Sequence, residues 1–314
     1  MVLRLFITHL IYFAILINGS CITSNLPTSR YSLTATSVGN LVMFAGGFDY
    51  ETQNSYSTVE ILNTSSNTWS SHNLATGGGY MTSVSVNDLA FFNAGAFSGV
   101  LDVYNSTANI WSTTALSINR YYEGVASVGN YVLWGGGWTT HPVANVDIFV
   151  YNSSKSGIDA GNWKTASLSE PRQMLLAVAV ANNYVLFAGG INTSLANSAT
   201  IDIFNLATQS WSVEKLPHPN YDNGFFYAVA VSTRAIFINY GFSKATVDIL
   251  DTATWKWSNS TISTYRFVLI FLHIKMCKIL PSCRLLSKLC IFCWRMGFCN
   301  TENHWLCRCY RRQY

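Results

Sequence analysis

Cysteine is missing from the whole middle of this chain. The protein has 314 residues and eight cysteines, and none of these lies between Cys21 and Cys277. This absence excludes a disulfide-rich scaffold over that stretch. The intervening residues must therefore be stabilised by a hydrophobic core and by backbone hydrogen bonds.

Charge is scarce as well, at 11% of residues, while aromatic residues reach 14%. This composition excludes an intrinsically disordered chain, which would be rich in charge and poor in aromatics. It favours an all-β fold with many polar turns. Much of the basic excess behind the net charge of +4 lies after residue 270. We therefore expect no nucleic-acid surface on the preceding residues.

The apolar run near the start of the chain is shorter than a typical membrane-spanning helix. It covers residues 5–17, whereas a spanning helix needs about 20 residues. Arg4 before it and small residues near Ser20 are typical of a secretory signal peptide. We predict a signal peptide at residues 1–20, a short lead-in at 21–29 and a secreted or cell-surface protein. An uncleaved membrane anchor is the rival interpretation.

Five Asn-x-Ser/Thr sequons follow this segment, and in a secreted chain we expect some of them to be glycosylated. They are Asn63, Asn105, Asn152, Asn192 and Asn259. The alternative is that Asn, Ser and Thr are present because tight turns use them.

One sequence motif recurs at intervals of 42 to 52 residues. It consists of a strand-like run with an acidic residue, a polar turn and then a tryptophan. The tryptophans are Trp69, Trp111, Trp163, Trp211 and Trp257, and the acidic residues are Glu60, Asp102, Asp147, Asp202 and Asp248. Such a period in a strand-rich chain predicts an array of small sheets.

Residues 172–211 show the anatomy of one unit. Two apolar runs, 175–180 and 184–188, are separated by a turn, and the second ends at Gly189-Gly190. A polar loop, an alternating run over 200–204 and Trp211 follow. We predict four strands in this unit, bounded by hairpin turns.

The other units repeat this plan with two departures. Glycine doublets recur at Gly46-Gly47 and Gly136-Gly137 and are degenerate at residues 93–95 and 239–241. Arg30, Arg120 and Arg172 open three units. The doublet, the downstream Trp and the period resemble the kelch repeat over residues 30–266.

The resemblance implies a kelch-type β-propeller, in which each four-stranded sheet is one blade around a central channel. It implies five recognisable blades, with each Trp filling a seam between blades. Glycine is expected at the doublet because the inner backbone crowds the axis. The acidic residue is expected to cap a turn rather than to perform chemistry.

The pattern breaks after Arg266, in a Cys-rich tail at residues 267–314. Shifting the reading frame forward by one base turns Trp294 and Trp305 into Gly and Met296 into Trp, and it permits a kelch-like strand and glycine doublet. We therefore interpret residues from about 268 onward as a disrupted sixth unit translated out of frame. This makes the propeller incomplete as written and predicts further sequence beyond Tyr314.

No metal site is expected in that tail. It has a single Cys-x-x-Cys, Cys290 to Cys293, and Cys307-x-Cys309 is too tight for a second pair. Structural zinc sites use paired ligands at set spacing.

Catalysis is not expected either, and we predict no cofactor. The copper site of a kelch-type radical oxidase is formed by Tyr and His residues, with a Cys cross-linked to one Tyr. The repeats of this chain contain no Cys. A sugar mutarotase needs only a few polar channel residues and stays an alternative. The third possibility is a blade array within a larger surface receptor, which would contact a membrane through a signal anchor or a further C-terminal span.

The favoured function is binding of a protein or glycan ligand, because propellers present loops that carry recognition. The resemblance places opening arginines on one rim, so the candidate site is Arg30, Tyr31, Tyr80, Arg120, Tyr121 and Arg172. Arg and Tyr together would favour acidic or sugar ligands. In that case, charge reversal at Arg120 and Arg172 should abolish capture without unfolding. The alternative is that each Arg packs against its own blade and bonds a carbonyl.

Overall fold

The computed structural model describes residues 12–17, 20–94, 99–154, 161–219, 226–240 and 244–263. Every regular element in these residues is a β-strand. A first hairpin pairs β1 (Tyr12–Ile17) with β2 (Ser20–Asn25). The predicted signal segment stays a prediction.

Five four-stranded antiparallel sheets follow along the described residues, each formed by consecutive parts of the chain. Blade 1 contains β3 (Thr34–Val38), β4 (Leu41–Ala45), β5 (Thr58–Asn63) and β6 (Thr68–Asn73). Blade 2 contains β7 (Thr82–Val86), β8 (Leu89–Asn93), β9 (Val100–Asn105) and β10 (Ile110–Ala115). Blade 3 contains β11 (Gly124–Val128), β12 (Tyr131–Gly135), β13 (Asn145–Tyr151) and β14 (Gly161–Ser167).

Blade 4 contains β16 (Leu176–Val180), β17 (Tyr184–Ala188), β19 (Thr200–Asn205) and β20 (Ser210–Lys215). Two short strands beside it, β15 (Arg172–Gln173) and β18 (Ile191–Asn192), pair with each other. Blade 5 contains β21 (Phe226–Val231), β22 (Arg234–Tyr240), β23 (Lys244–Asp251) and β24 (Lys256–Ser263).

The first strand of each blade packs beside the first strand of the next, in the order β3, β7, β11, β16 and β21. The first strands therefore lie innermost and the fourth strands outermost, as in a propeller. The second strands are almost wholly buried, whereas fourth strands such as β6 and β10 are largely exposed. This gradient agrees with apolar second strands and Ser/Thr-rich fourth strands in the sequence.

Each recurring Trp opens the fourth strand of its blade and faces an aromatic ring of the second strand. The ring centroids are 5.5 to 6.1 Å apart, for example 6.0 Å between Phe44 and Trp69 and 5.5 Å between Trp134 and Trp163. Trp111 also packs on the buried cluster of blade 1, and Trp211 on that of blade 3. The tryptophans of blades 2 to 5 thus fill the seams to the preceding blades.

The loops of the propeller lie on two opposite faces. The glycine face contains the residues that open each repeat and the loops after the glycine doublets. The turn face contains the hairpins between first and second strands and the turns before each Trp. The left-handed residue of the first hairpin is Gly39 in blade 1 and Asn87 in blade 2, with φ of 56° and 52°.

The five predicted blades are present in the described residues. The out-of-frame sixth unit, Arg266 and the tail at residues 267–314 lie outside those residues. In the part of the chain that is described, no helix has the length and hydropathy needed to cross a membrane.

Candidate functional site

The opening arginines lie inside the blades, and each forms an ion pair with the acidic residue of its own repeat. Arg172 is fully buried and pairs with Asp202, while its Nη1 donates to the carbonyls of Gly189 at 2.7 Å and Thr200 at 2.8 Å. Arg120 approaches Asp147 at 2.7 Å. We call this arrangement, including Arg30 with Glu60 at 3.0 Å, the arginine clamp.

The second oxygen of the acidic residue accepts a backbone N–H from the loop that enters the blade. Ser117 donates to Asp147 at 3.0 Å, and Ser169 donates to Asp202 at 2.8 Å. One carboxylate therefore ties the opening arginine, the third strand and the connection from the preceding blade. This is a structural role, since every partner belongs to the protein itself.

Repeat 2 has no clamp. Its Asp102 still accepts the N–H of Ala75 at 2.9 Å, but Gly78 stands where repeats 1, 3 and 4 have arginine. The other carboxylate oxygen of Asp102 is buried and has no hydrogen-bond partner among the described residues. Burial raises the pKa of Asp102 above its ordinary value, because water no longer solvates the charge.

Repeat 5 makes the same loop contact with a different donor. Pro217 occupies the position of Ala75, Ser117 and Ser169, and proline has no N–H. The adjacent His218 side chain supplies the contact instead, with its Nδ1 at 2.8 Å from Asp248.

Two residues after each opening position, the backbone of the glycine face turns left-handed. The residues there are Ser32, Tyr80, Tyr122 and Met174, with φ of 54°, 58°, 60° and 54°. This conformation is uncommon for residues other than glycine and is found in strained functional loops. Its repetition at four blades turns successive side chains toward the same rim.

Aromatic rings form a continuous row on this rim across repeats 1 to 3. Centroids of neighbouring rings are separated by 5.5, 5.5, 5.4 and 4.7 Å. We call this row the aromatic ledge; in order, it consists of Tyr31, Phe48, Tyr80, Tyr122 and Tyr121. Tyr80 is 51% exposed. Burial, with the neighbouring Tyr80 and Tyr121, raises the pKa of Tyr122 above its ordinary value.

A pair of buried polar side chains adjoins the ledge between blades 2 and 3. Glu123 follows Tyr122, and one of its oxygens accepts hydrogen bonds from the Thr82 hydroxyl at 2.6 Å and the Asn93 amide at 2.7 Å. Asn93 is 1% exposed and Glu123 is 5% exposed. The second Glu123 oxygen and the Asn93 carbonyl oxygen accept no hydrogen bond from any described residue.

Comparison with known proteins agrees with this architecture. The Kelch motif model matches residues 29–71, which is the first repeat. The first repeat is thus similar to the Kelch motif, and the described residues fold as a β-propeller. Among solved structures, this propeller is similar to one titled "Structure of YjhT", at 12% identity and a TM-score of 0.57, over 77% of this chain and 87% of that one. No curated protein sequence matches the chain.

The structure separates the residues of the predicted site into two groups. Tyr31, Tyr80 and Tyr121 come together in the aromatic ledge. Arg30, Arg120 and Arg172 do not join them, because they are at most 4% exposed and bonded within their blades. This geometry is the alternative weighed from the sequence, in which each Arg packs against its own blade. Charge reversal at Arg120 or Arg172 is therefore now expected to unfold the protein rather than to spare its fold.

The sequon asparagines lie mostly on the turn face. The side-chain oxygens of Asn63, Asn105 and Asn152 accept N–H groups of their own turns, for example from Ser65 to Asn63 at 2.9 Å. These three therefore cap turns, and Asn105 is 5% exposed. Asn192 lies after the doublet of blade 4, on the glycine face, and Asn259 is exposed on β24. Their glycosylation stays a prediction.

Asn93, Tyr122, Glu123 and Phe48 were not predicted from the sequence. Alignment of the repeats contains a signal for two of them. Asn93 stands where other blades have Ala45, Gly135 and Ala188, and Glu123 stands where they have Leu33, Met81 and Leu175. No group of three or more His, Cys, Asp or Glu residues in the described ranges is arranged to hold a metal ion.

Proposed function

We propose that this kelch propeller is a binding module that receives a protein partner on the aromatic ledge. The observation that carries the proposal is the unbroken row of rings across three blades, on loops with left-handed backbone. Tyr is enriched in protein interfaces because it offers a large apolar area and a hydroxyl group. Its alignment on one rim provides the cluster in which binding energy usually concentrates.

A sugar-acting enzyme is the alternative that the sequence left open. The similarity to YjhT concerns the fold, and one fold supports many functions. A cavity of about 280 Å³ lies elsewhere, lined by residues that include Leu116, Asp147, Trp163 and Lys164, and it shares no residue with the ledge. Secretion, glycosylation and membership of a larger receptor are proposed from the sequence alone.

The proposal can be tested by removing single rings. The full chain is immobilised and probed with a peptide array and a glycan array, alongside Tyr80→Ala and Tyr122→Ala. Truncation of a central aromatic residue at an interface costs about 2 kcal/mol or more, so we expect peptide capture to weaken about 30-fold. Trp255→Ala is the control, because Trp255 is 41% exposed on the turn face.

Capture of peptides that is lost in both tyrosine variants and kept in the control supports a protein-binding ledge. Capture of glycans alone would replace the protein partner with a glycan. Equal capture by all variants would refute the ledge as the binding site.

A further inference from the structure

Two buried hydrogen-bond acceptors beside the ledge have no donor among the described residues. They are the second carboxylate oxygen of Glu123 and the carbonyl oxygen of Asn93, among the described residues. The amide of Asn93 and an oxygen of Glu123 are hydrogen-bonded to each other, so the two unused acceptors belong to one joined pair. Leaving a buried acceptor unsatisfied is unfavourable, because nothing offsets the loss of its hydration. Polar groups in this condition are rare in native proteins and call for a functional explanation.

The chemistry of this pair selects a cation with several donors. Both unused atoms are oxygens, one of them on a carboxylate, and an ammonium group has three donors and a positive charge. The nearby Arg120 is directed to its clamp, where its Nη2 contacts Asp147 at 2.7 Å and donates to the Trp134 carbonyl at 3.0 Å. Its Nε and Nη1 have no hydrogen-bond partner among the described residues and form no hydrogen bond to Glu123 or Asn93. Interactions with a shielded carboxylate are screened less than those at the open surface.

The ledge itself offers favourable surfaces for the rest of a cationic side chain. Tyr80 and Tyr122 are in edge contact at 5.4 Å, and each lies within two residues of the buried pair or of its donor Thr82. Tyrosine faces attract ammonium groups through the ring quadrupole. Apolar ring surface also accommodates the methylene stem of a long basic side chain.

Acidic side chains next to the ledge also favour a cationic ligand. Asp49 is half-buried and Glu51 is exposed on the loop after the first glycine doublet. Hydrogen bonds from the Thr52 backbone, the Tyr56 hydroxyl and the Thr52 side chain lower the pKa of Asp49 to about 2, so it is ionised at neutral pH. The arginines that open repeats 1, 3 and 4 are buried in their clamps and present no charge to a partner. An acidic rim of this kind attracts basic partners.

We propose that the aromatic ledge anchors a lysine side chain of a basic protein segment, with its ammonium at Glu123 and Asn93 and its stem against Tyr80 and Tyr122. The inference rests on the proposed function, since it names the partner chemistry for the same ledge.

Two small probes test this anchor on the full chain by saturation-transfer NMR. The first is n-butylammonium chloride, which has the head group of lysine, and the second is the neutral N-butylacetamide. We expect wild-type protein to bind the cation at least about tenfold more tightly, as for hydrogen bonds to charged groups. Glu123→Gln should reduce the affinity for the cation to that for the neutral probe.

Glu214→Gln is the matched control, because Glu214 is exposed on β20 of blade 4. Tyr80→Ala is a second test that does not depend on a buried residue, and it should weaken binding of the cation several-fold in a protein with unchanged melting. Equal affinity of wild type for the two probes overturns the proposal. A cation preference that persists in Glu123→Gln overturns it too.

These outcomes separate the anchor from the binding module. If the tyrosine variants lose peptide capture on the array while the small probes bind equally, the module stands and the lysine anchor fails. If the tyrosine variants capture peptides normally, the module itself fails. A preference for the cation that disappears in Glu123→Gln, together with captured peptides rich in lysine, supports both.

Discussion

The same acidic position should respond in opposite ways to the same substitution in repeats 2 and 4. In repeat 4, Asp202 faces the fully buried Arg172. In repeat 2, the equivalent oxygen of Asp102 faces no hydrogen-bond donor among the described residues. Asp→Asn removes the charge at each position and retains a carbonyl oxygen that can accept the N–H of the entering loop. The pair of variants therefore isolates the value of the clamp.

Asp202→Asn should be strongly destabilising. Removing one partner of a buried ion pair costs about 3–5 kcal/mol, and the more exposed Glu170, 3.8 Å from Arg172 Nε, compensates only part of the remaining charge. For a domain of this size, 1 kcal/mol shifts the melting temperature by about 2–4 °C. We expect a decrease on the order of 10 °C, measured by tryptophan fluorescence at pH 7.

Asp102→Asn should leave the melting temperature at pH 7 unchanged or raise it. Burial raises the pKa of Asp102 in the folded state, so ionisation opposes folding. This penalty is fully present above the raised pKa, and it disappears as the pH falls to the ordinary carboxyl range. Any advantage of Asp102→Asn should therefore shrink in acid. A loss as large as that of Asp202→Asn would show that the clamp reasoning is incorrect.

Three further predictions concern the opening arginines, the glycine doublet and the loop of repeat 5. Arg172→Glu should abolish the cooperative thermal transition, since it places a second negative charge beside Asp202; a folded, melting-competent variant would contradict this. Gly136→Ala should lower the melting temperature, because its φ is 68° and a Cβ would lie 2.6 Å from the Arg172 carbonyl oxygen. Gly39→Asn should be tolerated, because the nearest atom to its Cβ is 4.0 Å away and Asn87 adopts the same conformation in blade 2; equal losses at the two glycines would refute the steric argument. His218→Ala should lower the free energy of unfolding by about 1 kcal/mol, because it removes the donor to Asp248. Adding Pro217→Ser should recover that loss by restoring a backbone N–H. Denaturant unfolding measures both variants, and no recovery would contradict the role of His218.

The blade architecture could be predicted because its signals are local and repeated. The Trp that opens each fourth strand and the glycine doublet after each second strand depend on neighbours in the same repeat or in an adjacent one. Gly136 illustrates this, since its left-handed φ and its closeness to the carbonyl of Arg172, which opens the next repeat, exclude a side chain. Such requirements recur at a fixed period, so the period reveals them.

The direction of the arginines could not be predicted in the same way. Arg120 and Tyr121 are adjacent in the sequence, yet one side chain enters the blade and the other lies on the rim. Adjacent side chains of an extended backbone point to opposite sides, so the sequence does not specify which of the two residues faces the rim. Glu123 became informative only when compared with Leu33, Met81 and Leu175, because a buried acid is unusual where other repeats are apolar.

The arginine clamp closes entirely within one repeat, and this confinement has a consequence for how such a protein can diverge. Stability changes at well-separated sites are approximately additive. The loss of one clamp therefore lowers the free energy of unfolding without weakening the clamps of the other repeats. Repeat 2, with Gly78 in place of arginine, is an example. Its opening loop has no arginine clamp, and that same loop contributes Tyr80 to the ledge. The binding surface can thus change in one repeat while the clamps of the other repeats keep the propeller folded.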